Sequence, residues 1–381
     1  MMKKCLLQRP HMPHRLRRHL HTITVIAGLL ATTQLAQASP PAWPPVPALI
    51  AHRGSSALKP EMSQPAFEQA MHDGADLLEL DVVLSKDGVL LVRHDAALAA
   101  MEVNGEPPFS TTDVATHAEF STRKTTKLVD GKKETGWFAE DFTLQELKSL
   151  RAIERFPQIR PSSAKLDGKF PLLTLQEVAD LAKAYTAKTN RKVGLLVEIK
   201  HAAYLKAQGQ DIGQAVLKFL QHNHWSSAQA PVFVMSFEVE VLKQLRSASP
   251  VRILQLMRIG DGPPDLAQQG VSYVQMRSSE GLAKVAQYAQ GVALAREMVM
   301  ETDRGRWISL SRVTRNAKAA GLSVHVWTLR PENLHLPSAY RRGSEPAGRG
   351  DALEEARAFL GAGVDGVITD DPGAIRSLFK R

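Results

Sequence analysis

The sequence predicts an α/β protein built as a closed (β/α)₈ TIM barrel, with a segment inserted after its third strand. Three observations carry this expectation. Short apolar, β-branched runs alternate with helical stretches along most of the chain, the order that implies a parallel sheet. About eight such runs are present, which suggests closure, and no glycine-rich nucleotide loop follows the first of them as an open doubly wound sheet would require. The polar side chains able to do chemistry recur at the carboxyl ends of these runs, the rim where barrels build their sites.

Taken in order, Ala48 to Ala51 is the first strand and ends at His52-Arg53-Gly54, where glycine permits a tight exit. Ser63, with Pro65 just inside, opens a helix whose apolar stripe is Phe67, Ala70 and Met71 and which stops at Gly74. Leu77 to Leu84 is the second strand. Side chains alternate along it, so Glu79 and Asp81 point the same way from bases roughly 7 Å apart, while Leu78, Leu80, Val82 and Leu84 point the other way. Two buried carboxylates side by side repel and are costly to desolvate, so the pair needs a cation. After a turn at Lys86-Asp87-Gly88, Val89 to Arg93 is expected as the third strand, ending at His94-Asp95.

Residues 96–170 break the rhythm. They are polar, hold the basic run Arg123 to Lys127, and carry a capping box from Thr143 to Glu146 that opens a helix through Leu150. They read as an insertion over one end of the barrel. A second capping box, Thr174 to Glu177, opens a helix to about Lys188. Val193 to Lys200, Val232 to Ser236 and Val251 to Met257 are strands, separated by helices over 201–222 and 238–247. Weaker strand candidates lie at 271–275 and 292–295. A helix over 313–320, a strand over 324–329, a helix over 353–360 and a strand over 364–369 complete the chain.

The 381-residue chain carries a formal charge of +9, but six basic and no acidic residues fall in the first 38, leaving +3 for the rest. No basic run suggests nucleic acid as a partner. Those 38 residues read as a secretory signal: a basic stretch to Arg18, an apolar stretch from Ile23 to Leu35, and the small-residue site Ala36-Gln37-Ala38. A membrane anchor needs about 20 apolar residues, and this stretch is shorter and interrupted by Thr32, Thr33 and Gln34. The expected product is periplasmic, without a stable membrane anchor, with a proline-rich leader at 39–47 and one domain over 48–381. The single cysteine, Cys5, lies within the signal, so the exported chain would carry no disulfide.

The chemistry follows from the residues at the strand ends. Glu79, Asp81 and Glu198 are hard oxygen ligands, suited to Ca²⁺ or Mg²⁺. Arg53 and Lys200 supply fixed positive charge for phosphate oxygens. His52 and His94 titrate near neutral pH. Together they suit metal-assisted phosphoryl transfer, with His94 expected as the acid and His52 as the base. Phe237 follows the fifth strand and Trp327 lies near the end of a late one, both candidates for contact with substrate.

At these residues the chain resembles the glycerophosphodiester phosphodiesterase family. The matching blocks, in order, are Ala51 to Gly54, Lys59 to Glu61, Gly74 to Val82, Lys86 to Gly88, His94-Asp95, Glu198 to Lys200, Ser236-Phe237 and Gly366 to Asp370. The insertion resembles the long periplasmic branch through Arg123 to Lys127 and Gly136 to Leu144, as do Val324 to Arg330 and Glu332-Asn333. The resemblance implies a (β/α)₈ barrel that hydrolyses glycerophosphodiesters, small molecules, to sn-glycerol 3-phosphate and an alcohol. It implies Glu79, Asp81 and Glu198 on the metal (typically Ca²⁺), His52 and His94 as the acid/base pair, and Arg53 and Lys200 on the phosphate. Glu61 would sit near the metal or the glycerol hydroxyls. Two departures stand out: Met62-Ser63 where the family usually has Asn-Thr, and the absence of its Gly-Pro-x-Lys pattern around Val292 to Glu297. A barrel phospholipase acting on intact lipid would need an exposed apolar rim, which the polar insertion does not offer. A non-catalytic phosphodiester-binding protein would have no use for both histidines and all three carboxylates.

Overall fold

The computed structural model describes residues 43–103 and 107–379; the signal read over residues 1–38 and the start of the leader lie outside them. Eight parallel strands form the barrel: β1 (Ala48–His52), β2 (Leu77–Leu84), β3 (Gly194–Ile199), β4 (Val232–Ser236), β5 (Arg252–Met257), β6 (Gly291–Ala295), β7 (Ser323–Leu329) and β8 (Gly366–Thr369). Each pairs with the next, and β1 pairs with both β8 and β2, so the sheet closes. Strand alternation divides the apolar residues as expected. Ile50, Leu77, Leu196, Phe233, Leu254 and Ile368 pack inside the barrel. Leu78, Leu80 and Val82 pack outward in the layer under the helices. Glu79 and Asp81 share the parity of Leu77 and therefore face inward.

The strand before His94 differs from expectation. Leu90–Val92 runs antiparallel to β2, with Val82 opposite Val92, and is not a member of the barrel. Lys86-Asp87-Gly88 is too short a link for a parallel crossover, which takes a dozen or more residues, whereas a hairpin needs only a few. The hairpin turns the chain back along β2, so His94 still arrives at the level of the carboxylates.

Residues 96–170 build a four-stranded antiparallel sheet from Phe109–Ser110, Ala97–Val103, Lys132–Phe138 and Thr125–Val129. Leu98, Phe120, Trp137, Phe142 and Leu147 give it its own core. Two of the three charges in the basic run are paired locally: Arg123 with Glu146, and Lys127 with Glu140 and Asp141. Both capping boxes form as expected, although the first helix stops at Leu147.

Other expectations shift. Ser63 does not cap its helix; its hydroxyl donates to the Pro60 carbonyl at 2.6 Å. The helix expected over 201–222 is two, Ala202–Ala207 and Ile212–His222, the second capped by Asp211. Residues 271–275 are not a strand: Ser272 and Gln275 form a capping box that opens the helix Tyr273–Met276. The leader ends in contact with the barrel. A Cβ on Gly194, the first residue of β3, would come within 2.3 Å of the Trp43 ring, and Arg252 donates to the Trp43 carbonyl at 3.0 Å. No helix among the described residues is long and apolar enough to cross a membrane.

Candidate active site

A cavity of about 680 Å³ opens at the carboxyl end of the barrel, lined by His52, Arg53, Glu79, His94, Glu198, Lys200, Phe237 and Trp327 among others. Strand register explains the convergence. His52 is opposite Glu79, and Asp81 is opposite Glu198, so residues far apart in sequence reach one level. The two aromatic candidates meet edge to face at 5.6 Å.

Glu79, Asp81 and Glu198 each offer an oxygen within 4.8 Å of the others, the only such acidic group among the described residues, and all three are buried. Burial, with Asp81 and Glu198 close by, pushes the Glu79 carboxyl well above its ordinary range. Asp81 is pushed up by burial and by Glu198, against the pull of Arg53. Neither Asp81 oxygen accepts a hydrogen bond from any of the described residues. Bringing three carboxylates together in this way is unfavourable without more positive charge than Arg53 and Lys200 supply. An all-oxygen set of this kind fits a hard divalent cation.

Each histidine is held by a carboxylate, and each carboxylate by an arginine of the insertion. His52 Nδ1 lies 2.5 Å from Asp370 Oδ1, and Arg160 donates to Asp370 Oδ2 at 2.5 Å. Register again accounts for this: Ala51 pairs with Thr369, so the next residues of β1 and β8 stand side by side. His94 Nδ1 lies 2.7 Å from Asp95 Oδ1, and Arg155 bonds Asp95 and Glu61. Both Nε2 atoms are thereby turned away from the carboxylates, and that of His94 meets Lys200 Nζ at 3.2 Å. Burial, Arg53 and Lys200 lower His94 to about 4. Burial also lowers His52, with Asp370 opposing it. Burial alone would raise Asp370, but Arg160, His52 and Arg330 hold it well below the usual carboxylate range.

Arg53 takes a left-handed backbone conformation, φ 56°, which lets its amide donate to Glu79 at 2.9 Å while its side chain reaches Glu61 at 2.9 Å and Asp81 at 3.3 Å. Glu61 is not in the cavity wall. Both its oxygens are taken by Arg53 and Arg155, and these charges hold it well below its ordinary range despite burial. It lies behind Arg53, outside the cavity wall, whereas the expectation puts it near the metal or the glycerol hydroxyls. Met62, where asparagine was expected, is also left-handed, φ 58°, a conformation asparagine adopts more readily. Its burial and a 3.0 Å bond from its amide to the Arg53 carbonyl order the loop in place of an amide side chain.

In the sequence Asp370 stands out only as an acid after the last strand and Asp95 only as the neighbour of His94, with no histidine partner assigned to either, and nothing marks Arg155 and Arg160. For Asp370 a signal existed: in a closed barrel the first and last strands are neighbours, so a histidine ending one and an acid ending the other must meet. The two arginines lie in the insertion, where no local pattern marks them.

The model of the glycerophosphoryl diester phosphodiesterase family matches residues 52–374. Glycerophosphodiester phosphodiesterase GDPD6 of Arabidopsis thaliana is 29% identical over 341 residues, covering 86% of this chain and 84% of that protein. Among solved structures, a protein from Silicibacter pomeroyi provisionally named a glycerophosphoryl diester phosphodiesterase is 22% identical, with a TM-score of 0.60 over 88% of this chain and 94% of that one. The Oleispira antarctica phosphodiesterase solved in complex with its product sn-glycerol-3-phosphate is 20% identical, with a TM-score of 0.52 over 87% and 96%.

Proposed function

The chain belongs to the glycerophosphoryl diester phosphodiesterase family, and from that premise we propose that it hydrolyses small glycerophosphodiesters to sn-glycerol 3-phosphate and an alcohol, in the periplasm, with one divalent cation and with His52 and His94 as general base and acid. The observation that carries the proposal is the meeting, in one cavity, of the Glu79-Asp81-Glu198 cluster with two histidines each backed by its own carboxylate. The product complex of the Oleispira antarctica relative supports the same substrate class.

Glu79, Asp81 and Glu198 would hold the cation, with Ca²⁺ favoured by the oxygen ligands and by an exported protein's ready access to it. Such an ion supplies positive charge to a phosphoryl oxygen. Arg53 and Lys200 contribute fixed charge at the same place. Phe237 and Trp327 wall the substrate. Asp370 keeps the His52 proton on Nδ1, leaving the Nε2 lone pair to accept a proton from the attacking oxygen. His94 gives a proton to the departing alkoxide. Its low proton affinity comes partly from Arg53 and Lys200; a bound phosphodiester anion offsets those charges and raises it.

The test is release of sn-glycerol 3-phosphate from a panel of choline, ethanolamine, glycerol and inositol diesters, with and without EDTA. Release that stops with chelator and returns with Ca²⁺ is expected. Full activity in excess chelator would overturn the metal, and no release from any diester would overturn the activity. Export is proposed on the basic, apolar, small-residue order of residues 1–38. Intact-mass measurement of the periplasmic protein tests it, and a species retaining Met1 to Ala38 would refute it.

A further inference from the structure

Six lysines and arginines line the cavity: Arg53, Lys132, Arg155, Lys200, Arg258 and Arg330. The inner ones are mostly committed. Arg53 is tied to Glu61 and Asp81, Arg155 to Glu61 and Asp95, and Lys200 to Glu198 and His94. Arg330, just past the end of β7, is different. Its nearest carboxylate oxygen is Asp370 Oδ2, 3.3 Å from Nε, and that oxygen already accepts from Arg160 at 2.5 Å. Nε is buried and makes no hydrogen bond among the described residues. The guanidinium carbon lies 6.0 Å from the Phe156 ring centre, so the side chain is held over an aromatic face while about a quarter of it stays open to solvent. A buried Nε donor with no hydrogen-bond acceptor is costly unless one arrives, and the open part of the guanidinium is free to turn towards it.

We propose that Arg330 is a substrate-binding residue that donates to the phosphoryl oxygens of substrate and product. It would do so on the Asp370 side of the cavity, across from Lys200. Asp370 contacts both His52 and Arg330, so an anion gripped there lies beside the proposed base. The planar guanidinium suits two parallel bonds to phosphate, which lysine cannot form. This inference rests on the phosphodiesterase reading for its ligand, but not for its test.

The test is titration calorimetry of the Ca²⁺-loaded protein with inorganic phosphate and with sn-glycerol 3-phosphate, for wild type, Arg330→Gln and Arg330→Lys, beside steady-state kinetics on glycerophosphocholine. Arg330→Gln should weaken both anions roughly 10- to 100-fold, the range of a charged hydrogen bond, and Arg330→Lys should fall between. KM should rise by a similar factor, and Arg330→Lys, which keeps the charge beside Asp370 and His52, should leave the pH-rate profile unmoved. Unchanged anion affinity in the glutamine variant would overturn the inference. So would a lower kcat with a displaced pH profile at unchanged affinity, which would make Arg330 only a support for Asp370 and His52. Phosphate binding reports on Arg330 even if no diester is cleaved, so the two readings fail separately. The lysine variant keeps the charge and serves if the glutamine variant does not fold.

Discussion

Replacing Asp370 with asparagine changes one atom and should disable the base without disturbing the metal cluster. Asp370 has two distinct sides. Oδ2 accepts from Arg160 at 2.5 Å and faces Arg330 at 3.3 Å, while Oδ1 faces His52 Nδ1 at 2.5 Å. An asparagine there must turn its oxygen to the arginines, because an amide N–H facing a guanidinium leaves two donors opposed. Its NH₂ group then faces His52 Nδ1, which becomes an acceptor, and the imidazole proton moves to Nε2. In that tautomer Nε2 has no lone pair for the attacking oxygen. A general base is worth roughly 10²–10⁴-fold, and a loss of that size in kcat on glycerophosphocholine is expected. Ca²⁺ affinity, which the proposal assigns to Glu79, Asp81 and Glu198, should stay within a few fold by calorimetry. A p-nitrophenyl diester should not rescue the variant, because its leaving group relieves the need for an acid and not for a base. Activity within about threefold of wild type, with the fold intact by circular dichroism, would refute the assignment of Asp370 and with it the role of His52.

His94→Ala should lose a similar factor on glycerophosphocholine but recover most of it on the p-nitrophenyl ester; no recovery would mean that His94 is not the acid. Asp81→Asn should weaken Ca²⁺ binding and activity together, and should remove the melting-temperature rise that saturating Ca²⁺ gives the wild type, about 3 kcal/mol of stabilisation at a hundredfold excess over Kd. His325, buried inside the barrel, is lowered from 6.5 to about 4 by burial. The unfolded chain therefore binds this proton first, and stability present above pH 6.5 is lost as pH falls toward 4, by about 3 kcal/mol at 1.4 kcal/mol per unit. Urea titrations of the metal-free protein across that range should show the loss, and His325→Gln should flatten its share of it. Trp43→Ala should cost about 2 kcal/mol, less than at a fully buried tryptophan, with KM unchanged; a changed KM would mean that the leader reaches the active site.

Much of this architecture is legible in the sequence because it rests on local patterns. Alternation in Leu77 to Leu84 places Glu79 and Asp81 on one face of the strand with no knowledge of the partners. The capping boxes at Thr143 and Thr174 depend on four residues each, and both form. What was missed depends on distant pairing or on arithmetic over link length. The Leu90–Val92 strand reads the same parallel or antiparallel, and only the short turn before it decides. The 271–275 segment is apolar enough for a strand, and a serine-glutamine box overrides it. The family resemblance puts Glu61 near the metal or the glycerol hydroxyls, and the three arginines that come near it in space could not be read from its neighbours in sequence. Arg155 and Arg160 could be found only once the insertion had a place against the barrel.

The bond between His52 and Asp370 joins the first strand of the barrel to the last, across the seam where the two ends of the domain meet. A nascent chain that has not yet reached β8 can have its carboxylate cluster, both histidines and most of its walls, and yet lack the carboxylate that holds His52. On the proposed mechanism, turnover has to wait until the ring is complete. In refolding experiments, turnover should return with the step that docks β8, later than the signals of the helices and the inner core. Any loosening of the seam should silence the enzyme before the rest of the molecule melts.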